Sequence, residues 1–392
     1  MKWASAASEE ASLQESIEEL TGNIKNQMGE GPIDLAFLFA SSHFQKEYAE
    51  IPAVLSKSLG CKTLIGCSAG GVIGGGKEIE QKPAITLTAA RLPGVEIIPF
   101  HLDNSDLPDL DASPKSWQAC FNVAADRKPH FILLADPYTF DAEKGLMGLD
   151  FGFPASVKVG GLASGGAVNQ NALFLNDVSY PSGMIGVALS GNIQVDTIVA
   201  QGCRPIGEPL SITRCDRNLL IEIDHKPSLL VLQELYEKLN EEDQKKMQHS
   251  LFLGLAMTPF KEDPTRGDFL IRNLIGVDSK SGNIAVGAHL REGQTIQFHL
   301  RDEETSADEL QWLLTQYQVE GASHSAKGAL LFSCLGRGIH LYGEADHDSR
   351  LFQSKMGPIP LGGFFCNGEI GAVGQTTFLH GYTSCFGIFK PA

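Results

Sequence analysis

Small polar side chains stand inside three glycine-rich segments of this 392-residue chain. Ser68 lies in the first segment (66–76), Ser164 in the second (160–166), and Cys366, Asn367 and Glu369 in the third (362–371). Glycine allows positive φ angles, so consecutive backbone N–H groups can point toward one anion. The three segments therefore predict a shared pocket for a small polar ligand.

The chemistry expected of that pocket is recognition of a metabolite that carries opposite charges. Backbone N–H groups of the turns would bind a carboxylate, Glu369 would pair with an amino group, and His380 and Tyr382 would add hydrogen bonds. The predicted ligand-binding residues are Gly66, Ser68, Gly70, Gly161, Ser164, Gly165, Cys366, Asn367, Glu369, His380 and Tyr382. Glycines after strands also serve close strand packing and bulges, and this alternative stays open.

The first segment also matches the G-x-S-x-G pattern of a hydrolase nucleophile, with Ser68 at its centre. Such a serine needs a strand before it and a helix directly after it. The residues that follow, Val-Ile-Gly-Gly-Gly-Lys, disfavour a helix because each interior glycine costs about 1 kcal/mol relative to alanine. We expect a protein that is not an enzyme, with a serine hydrolase as the alternative.

Metal and cofactor binding have no support in the sequence. The eight cysteines contain no C-x-x-C pair, and the histidines lack H-x-x-x-H or H-E-x-x-H spacing. We therefore predict no cofactor, no metal and free thiols in a reducing cytoplasm. The run Asp346-His347-Asp348 is interpreted as the solvated start of a helix, because acidic residues favour first turns.

Charge and hydropathy argue against two further classes of partner, nucleic acid and the membrane. The net charge is −16 and no run of Lys and Arg is present, so nucleic acid is not an expected partner. Residues 1–20 carry glutamates and no apolar core, unlike a signal peptide. Apolar stretches fall far short of the roughly 20 residues that span a bilayer, so no membrane insertion and a cytoplasmic location are predicted.

The polar segments are positioned by a pattern of elements that recurs three times along the chain. Each copy consists of a helix, an apolar strand, a second helix, an apolar strand, the glycine-rich turn and two further strands. The strands before the three turns are 33–40 and 63–66, 130–135 and 157–160, and 329–334 and 359–362. Residues 203–301 are interpreted as a degenerate fourth copy that lacks the glycine segment.

This pattern predicts a fold class. A helix between two apolar strands favours a parallel right-handed crossover, whereas the closing strands favour antiparallel hairpins. We therefore predict an α/β (mixed α+β) protein with mixed sheets, helices packed outside and two domains. Residues 1–202 would hold two repeat units, and residues 203–392 one degenerate and one clear unit.

Three segments resemble a known family. Gly-Phe-Phe-Cys-Asn-Gly-Glu-Ile-Gly (363–371) and Phe-Leu-His-Gly-Tyr-Thr (378–383) look like the C-terminal signature of FIST proteins. Leu-Ile-Gly-Cys-Ser-Ala-Gly-Gly-Val (64–72) resembles the matching segment of the family's N-terminal domain, and 329–338 also resembles a family element. The resemblance extends over essentially the whole chain from about residue 30.

The resemblance implies a FIST N-terminal domain paired with a FIST C-terminal domain, a module for sensing small ligands such as amino acids. Only about 30 residues precede the module, interpreted as a single helix, which is too few for an F-box or an output domain. Signalling is therefore expected to act on a separate protein partner. Where the family has Gly-Glu-Ile after the first turn, this chain has Gly71-Val72-Ile73, which puts an acidic role there in doubt. A non-catalytic scaffold that docks a partner protein is the remaining alternative.

Overall fold

The structure is a computed structural model that describes residues 1–257, 267–278 and 280–392. Its chain forms two compact units, one of residues Met1–Ala200 with Gln311–Ala392 and one of residues Gln201–Leu310. A compact unit is not the same as a sequence domain, so the predicted division into 1–202 and 203–392 stays a prediction. Within the described ranges, no helix is long and apolar enough to cross a membrane.

Runs of strands, separated by single helices or helix pairs, make up most of the described chain. In residues 1–200 they are β1 (Lys2–Ser8), α1 (Leu13–Met28), β2 (Ile33–Ser41), α2 (Ile51–Leu59), β3 (Cys61–Ala69), β4 (Gly71–Gly74), β5 (Lys77–Glu80), β6 (Ile85–Arg91), β7 (Val95–Leu102), α3 (Pro114–Cys120), β8 (His130–Ala135), α4 (Ala142–Gly152), β9 (Lys158–Leu162), β10 (Leu173–Leu175), β11 (Val178–Tyr180), β12 (Met184–Gly191) and β13 (Gln194–Ala200). Residues 201–310 contain β14 (Cys203–Asp216), β15 (Leu219–Ile223), β16 (Lys226–Pro227), α5 (Ser228–Lys238), α6 (Glu241–Met247), β17 (Leu251–Ala256), β18 (Phe269–Val277), β19 (Ile284–Val286) and β20 (Thr295–Arg301). The chain continues with α7 (Glu303–Val319), β21 (Gly328–Cys334), α8 (Ile339–Tyr342), α9 (His347–Met356), β22 (Leu361–Cys366), β23 (Glu369–Val373), β24 (Thr376–His380) and β25 (Ser384–Lys390).

The first unit contains three six-stranded sheets that share one strand order. The orders are β1-β6-β2-β3-β10-β11, β7-β12-β8-β9-β23-β24 and β13-β25-β21-β22-β4-β5. In each sheet the two central strands are parallel, and all other neighbours are antiparallel. The predicted mixed α/β class is confirmed.

In each sheet the last two strands form a hairpin that follows a strand of a different sheet in the sequence. The hairpin β4–β5 leaves the first glycine-rich segment and pairs with β22, whereas β10–β11 pairs with β3 and β23–β24 pairs with β9. The hairpin β4–β5 was not predicted, because its strands are four residues long and β4 has glycine at both ends. The exchange brings the glycine-rich segments together, since each must cross from one sheet to another.

One glycine holds the same place in each sheet. Gly66, Gly160 and Gly363 each pair with a leucine of the neighbouring parallel strand, and a Cβ atom on any of them would overlap that leucine's carbonyl oxygen. The packing interpretation of these glycines therefore has direct structural support, because any larger residue forces the strands apart.

The sheets enclose a common apolar core, and helices cover their outer faces. Alternate residues of β2 show this division, since Phe37 and Phe39 pack in the common core while Leu38 packs against α1 and α2. The helix α1 buries the predicted apolar stripe, which includes Ile17 and Leu20. Its first turn is capped by the Ser12 side chain and it ends at a glycine with positive φ.

Two sequence predictions about local structure need correction. The N-terminal 30 residues are not a single helix, because Lys2–Ser8 form β1, which pairs along its whole length with β6. The predicted helix 44–59 is interrupted, with a 3₁₀ turn at Ser42–Glu47 and an α-helix only from Ile51. In β1 the two larger residues, Lys2 and Trp3, are followed by five small ones, so its sequence lacks the apolar alternation that marks a strand.

The second unit is built around a sheet of a different order. Its strands run β14-β20-β17-β18-β19-β15-β16, and every pairing described within it is antiparallel. Apolar residues such as Ile212, Leu253 and Phe298 form its own core. The interpretation of 203–301 as a degenerate fourth copy stays a prediction that this strand order does not favour.

Candidate functional site

The three glycine-rich turns meet at one place in the first unit. We call this place the turn junction, formed by residues 68–70, 162–165 and 365–368. Ser164 stands at its centre, where its hydroxyl donates to the carbonyl oxygen of Phe365 and accepts from the backbone N–H of Gly70 at 2.9 Å. The backbone of Ser164 donates to the carbonyl of Ser68 at 3.2 Å. One serine therefore connects all three turns.

The second and third turns are also joined by a pair of backbone hydrogen bonds. Leu162 donates to Gly368 at 2.8 Å, and Asn367 donates to Leu162 at 3.1 Å. A Cβ atom on Gly161 would overlap the sulfur of Cys366, and Gly165 has φ +84° against the backbone of Ala69. These glycines permit the close approach of the turns.

Several backbone donors predicted for a carboxylate already have partners inside the protein. The N–H of Gly70 donates to Ser164, that of Gly166 to Asn171, and that of Asn367 to Leu162. Their role as ligand donors stays a prediction, and it would require these bonds to open.

Ser68 lies on β3 with 1% of its surface exposed. Its hydroxyl is 3.3 Å from the carbonyl oxygen of Ser164 and 3.4 Å from Oδ1 of Asn171, and it accepts from the N–H of Ala172 at 3.1 Å. None of these partners is a histidine, and the next element is the strand β4 rather than a helix. This geometry gives the G-x-S-x-G segment a structural explanation in strand packing.

The third turn continues into an edge where the other family-like segments meet. We call it the loop edge, formed by residues 334–338, 366–369 and 381–384. Leu335 donates its N–H to the carbonyl of Cys366 at 3.1 Å, and Cys334 donates to that of Thr383 at 3.0 Å. Thr383 in turn donates its N–H to Glu369 Oε2 at 3.1 Å. Four predicted residues, Cys366, Asn367, Glu369 and Tyr382, are thereby brought together at the carboxyl end of β21 and β22.

Exposure differs sharply among these residues. Cys366 and Glu369 are fully buried, whereas Asn367 between them is exposed and Tyr382 is partly exposed. Burial, and then the nearby Glu369 carboxylate, raise the pKa of the Cys366 thiol well above its usual range. His380 pairs with Glu369 across β23 and β24, and its Nε2 lies 3.1 Å from the carbonyl oxygen of Gly371. Asn367 and Tyr382 are therefore the predicted side chains that a ligand would reach first.

A buried ion pair, Arg337–Asp348, holds the loop edge in position. Arg337 is 0% exposed and binds both carboxylate oxygens of Asp348, with Nε–Oδ2 at 2.9 Å and Nη2–Oδ1 at 3.3 Å. Its guanidinium also donates to the hydroxyl of Tyr342 at 2.6 Å and to the carbonyl of Tyr382 at 3.5 Å. The Ser384 hydroxyl donates to the same Asp348 carboxylate. Two oriented charges thus fix the positions of residues 382 and 384.

Asp348 corrects one sequence interpretation. It is not a solvated start of a helix, because it is 1% exposed and lies in the first turn of α9. Burial alone would raise its pKa, but the charge of Arg337 and the hydrogen bonds from His347 and Ser384 hold that pKa well below its usual range. Arg337 lies in the family-like segment 329–338, but nothing in the sequence indicates that an arginine in a loop is fully buried.

A second carboxylate lies close to this group. Glu78 reaches it from β5, where its Oε1 accepts from the N–H of Ser349 at 2.6 Å and its own N–H donates to Asp346. Burial, followed by the charge of Asp348, raises the pKa of Glu78 to about 8. The sequence did not indicate this residue, since 271 positions separate it from Ser349. In the described part of the chain, no three His, Cys, Asp or Glu side chains are grouped as metal ligands would be.

Comparison with known proteins identifies the family of this chain. Residues 34–226 match the FIST N domain, and residues 229–372 match the FIST C domain. A protein of Mycobacterium tuberculosis, named only as uncharacterized, is 33% identical over 374 residues, which cover 95% of each chain. An uncharacterized protein of Mycobacterium bovis is 32% identical over 373 residues, covering 95% of this chain and 94% of the relative. FIST domains are generally taken as sensory domains for small ligands. This chain belongs to the FIST family, with a FIST N domain followed by a FIST C domain.

Proposed function

We propose that this protein is a small-ligand sensor that binds an amino acid or a similar polar metabolite at the loop edge, and acts on a separate protein partner in the cytoplasm. The observation that carries this proposal is the exposed Asn367 between the buried residues Cys366 and Glu369, at the carboxyl end of a parallel strand pair. Ligands of α/β sheets commonly bind outside the carboxyl ends of the strands.

The loop edge offers complementary groups for a molecule with an amino group. Asn367 presents an amide that both donates and accepts hydrogen bonds. The Glu369 carboxylate lies two residues away and would pair with the ammonium group, which requires the loop edge to open because Glu369 is fully buried. Arg337 and Asp348 neutralise each other, so their role is to fix the backbone of Tyr382 and the side chain of Ser384.

The turn junction can transmit a conformational change from the ligand site to the rest of the unit. A ligand that moves Asn367 also moves its backbone bond to Leu162 in the second turn, and Ser164 links that turn to the first. Because packed turns shift between discrete arrangements rather than bend continuously, a small displacement here would change the surface that a partner contacts. The sensory role generally assigned to FIST domains supports action on a protein partner.

A thermal-shift screen of the natural amino acids and their desamino organic acids tests this proposal. A true ligand raises the melting temperature of the wild type in a concentration-dependent way. Asn367→Ala should abolish the shift, whereas Asn23→Ala, which removes an exposed asparagine of α1, should leave it unchanged. The site is wrong if no compound stabilises the wild type more than it stabilises Asn367→Ala.

The charge of Glu369 provides a sharper test once a ligand is found. Glu369→Gln keeps an oxygen for the N–H of Thr383 but removes the charge. We expect affinity for the amino acid to fall by about tenfold or more, since hydrogen bonds to charged groups contribute about 1.5–3 kcal/mol. Affinity for the matching desamino acid should change little. Equal losses for both compounds in titration calorimetry would show that Glu369 does not contact the amino group.

A further inference from the structure

A cavity of about 470 Å³ lies in the first unit, outside the loop edge and the turn junction. Its walls come from residues 154–157, from Thr197 of β13, and from Ala372, Gly374, Gln375 and Thr377 of the hairpin β23–β24. The volume is within the range of small-molecule sites, which is about 300–1,000 Å³. None of the residues discussed so far as ligand contacts lines it.

The shared strand arrangement of the three sheets identifies the equivalent position in the other two sheets. In each sheet the leucine that faces the equivalent glycine (Gly66, Gly160 or Gly363) pairs with a residue of the next strand, and that residue pairs with one of the edge strand. The residue just before this edge-strand partner is Ser5 in the first sheet, Pro99 in the second and Thr197 in the third. These three residues therefore occupy the same place on the edge strands β1, β7 and β13.

At the first of these places the edge strand is tied to the neighbouring hairpin. The Ser5 hydroxyl donates to the carbonyl of Leu361 at 2.7 Å and accepts from the N–H of Gly75 at 3.1 Å, where Gly75 lies at the tip of β4–β5. The matching hairpin β23–β24 has five residues in each strand rather than four, and its tip forms a wall of the cavity instead. Thr197 therefore lines a cavity, whereas the equivalent Ser5 is hydrogen-bonded to the hairpin beside it.

The cavity offers hydrogen-bonding groups that the protein does not use. The side chains of Ser156, Thr197 and Gln375 make no hydrogen bond with any other described residue, although each lines a concave surface. Ser156 and Thr197 are partly exposed and Gln375 is exposed, so water reaches these groups, and a ligand that displaces this water must offer equivalent hydrogen bonds. Hydroxyl and amide groups both donate and accept, so they match a ligand that does the same.

The charges of Lys158 and Asp150 near the cavity are paired with each other. Lys158 is 1% exposed, and its Nζ lies 2.8 Å from Asp150 Oδ1 and 2.6 Å from the carbonyl oxygen of Phe153. Asp150 also accepts from the N–H and the hydroxyl of Thr377, at 2.7 and 2.8 Å. The Thr377 hydroxyl therefore offers the cavity only its acceptor lone pairs. A charged ligand would find no counter-ion among the lining residues.

We propose that this cavity is a separate binding site for an uncharged polyhydroxy compound, such as a sugar alcohol or a small sugar. Each hydroxyl group of such a compound both donates and accepts, which suits Ser156, Thr197 and Gln375, and a donated hydrogen bond suits Thr377. The apolar walls from Pro154, Ala155, Val157 and Ala372 would contact its carbon chain. This inference does not depend on an amino-acid site at the loop edge.

Saturation-transfer NMR and titration calorimetry with xylitol, sorbitol and glucose test the inference. Millimolar concentrations are used, because polyols at molar concentrations stabilise any protein by exclusion from its surface. Thr197→Val removes the hydroxyl and keeps a β-branched side chain that suits a strand. Gln375→Ala is a second variant at an exposed hairpin tip. Thr295→Val on β20, at a partly exposed strand position in the other unit, is the matched control.

We expect saturable binding of at least one polyol to the wild type and to Thr295→Val. Affinity should fall by about five- to tenfold in Thr197→Val and in Gln375→Ala, which is the effect of losing one hydrogen bond of about 1–1.4 kcal/mol. Asn367→Ala should bind the polyol as the wild type does, which separates this result from the amino-acid test. The inference is overturned if none of the three polyols binds the wild type saturably, or if Thr197→Val and Gln375→Ala both bind with wild-type affinity.

Discussion

Glu78 should make the protein less stable as the pH rises, and Glu78→Gln should remove this effect. The carboxyl is 4% exposed and lies near Asp346 and Asp348, so its ionised form is disfavoured in the folded protein. Arg337, which belongs to the same cluster, is already bound to Asp348. A glutamine at position 78 keeps an oxygen for the N–H of Ser349 and carries no charge.

The magnitude follows from the pKa of Glu78, which is raised from 4.5 in the unfolded chain to about 8 in the folded protein. Between these values the folded state holds a proton that the unfolded state has lost, so the free energy of unfolding decreases as the pH rises. The slope is about 1.4 kcal/mol per pH unit, and the full loss above pH 8 is about 3–5 kcal/mol. The neighbouring Asp348 does not interfere, because its lowered pKa matters only as the pH falls below its ordinary value of 3.8.

Urea unfolding of the wild type and of Glu78→Gln at pH values from 5 to 9 measures this difference. Tryptophan fluorescence is a suitable signal, since Trp3, Trp117 and Trp312 all lie in the first unit. The stability of the variant relative to the wild type should increase steadily up to about pH 8 and then level off. Glu30→Gln, at an exposed glutamate after α1, should show no such trend. A difference between Glu78→Gln and the wild type that stays constant over this range would refute the reasoning.

Three further substitutions test the packing of the same unit, each by urea unfolding followed by circular dichroism. Asp348→Asn should destabilise the protein by about 3–5 kcal/mol, because Arg337 would be left as a buried charge without its counter-ion; an effect below about 1 kcal/mol would contradict this. Gly66→Ala should lower stability by more than about 4 kcal/mol or prevent soluble expression, because its Cβ would overlap the carbonyl of Leu38; a stable, soluble variant would show that the strands can separate. Ser164→Ala should cost about 2–4 kcal/mol, because one buried and one partly buried backbone group lose their partner at the turn junction; wild-type stability would mean that water replaces the hydroxyl.

Much of the fold could be predicted from the sequence because its signals are local. The apolar stripe of α1, with a serine cap before it and a glycine after it, predicts that helix within its observed bounds. Short apolar runs predict the parallel pairs β2–β3, β8–β9 and β21–β22, since a helical stretch separates the members of each pair. The glycine-rich segments predict turns that converge, either around a pocket or in close packing, and they are the segments that meet at the turn junction.

Other features depend on contacts that no local pattern encodes. The hairpin β4–β5 pairs with β22, almost 300 positions later in the chain, so its partner could not be identified from its own four-residue strands. The partners of Arg337 were equally hidden, because α9 and β25 bring Asp348 and Ser384 to it only after the sheet has formed. The cavity beside Thr197 has walls from β13, from residues 154–157 and from the hairpin β23–β24, which lie next to one another only in the assembled sheets.

The sequence alone determined the family, the mixed α/β class and the places where the backbone must bend without a side chain. These depend on residue type and short-range spacing, which act before the chain is compact. Only the tertiary structure decided which polar groups of the turns remain accessible. The hydroxyls of Ser68 and Ser164 bind neighbouring segments of the protein while Asn367 is exposed, and that division is set by which strands come to lie side by side.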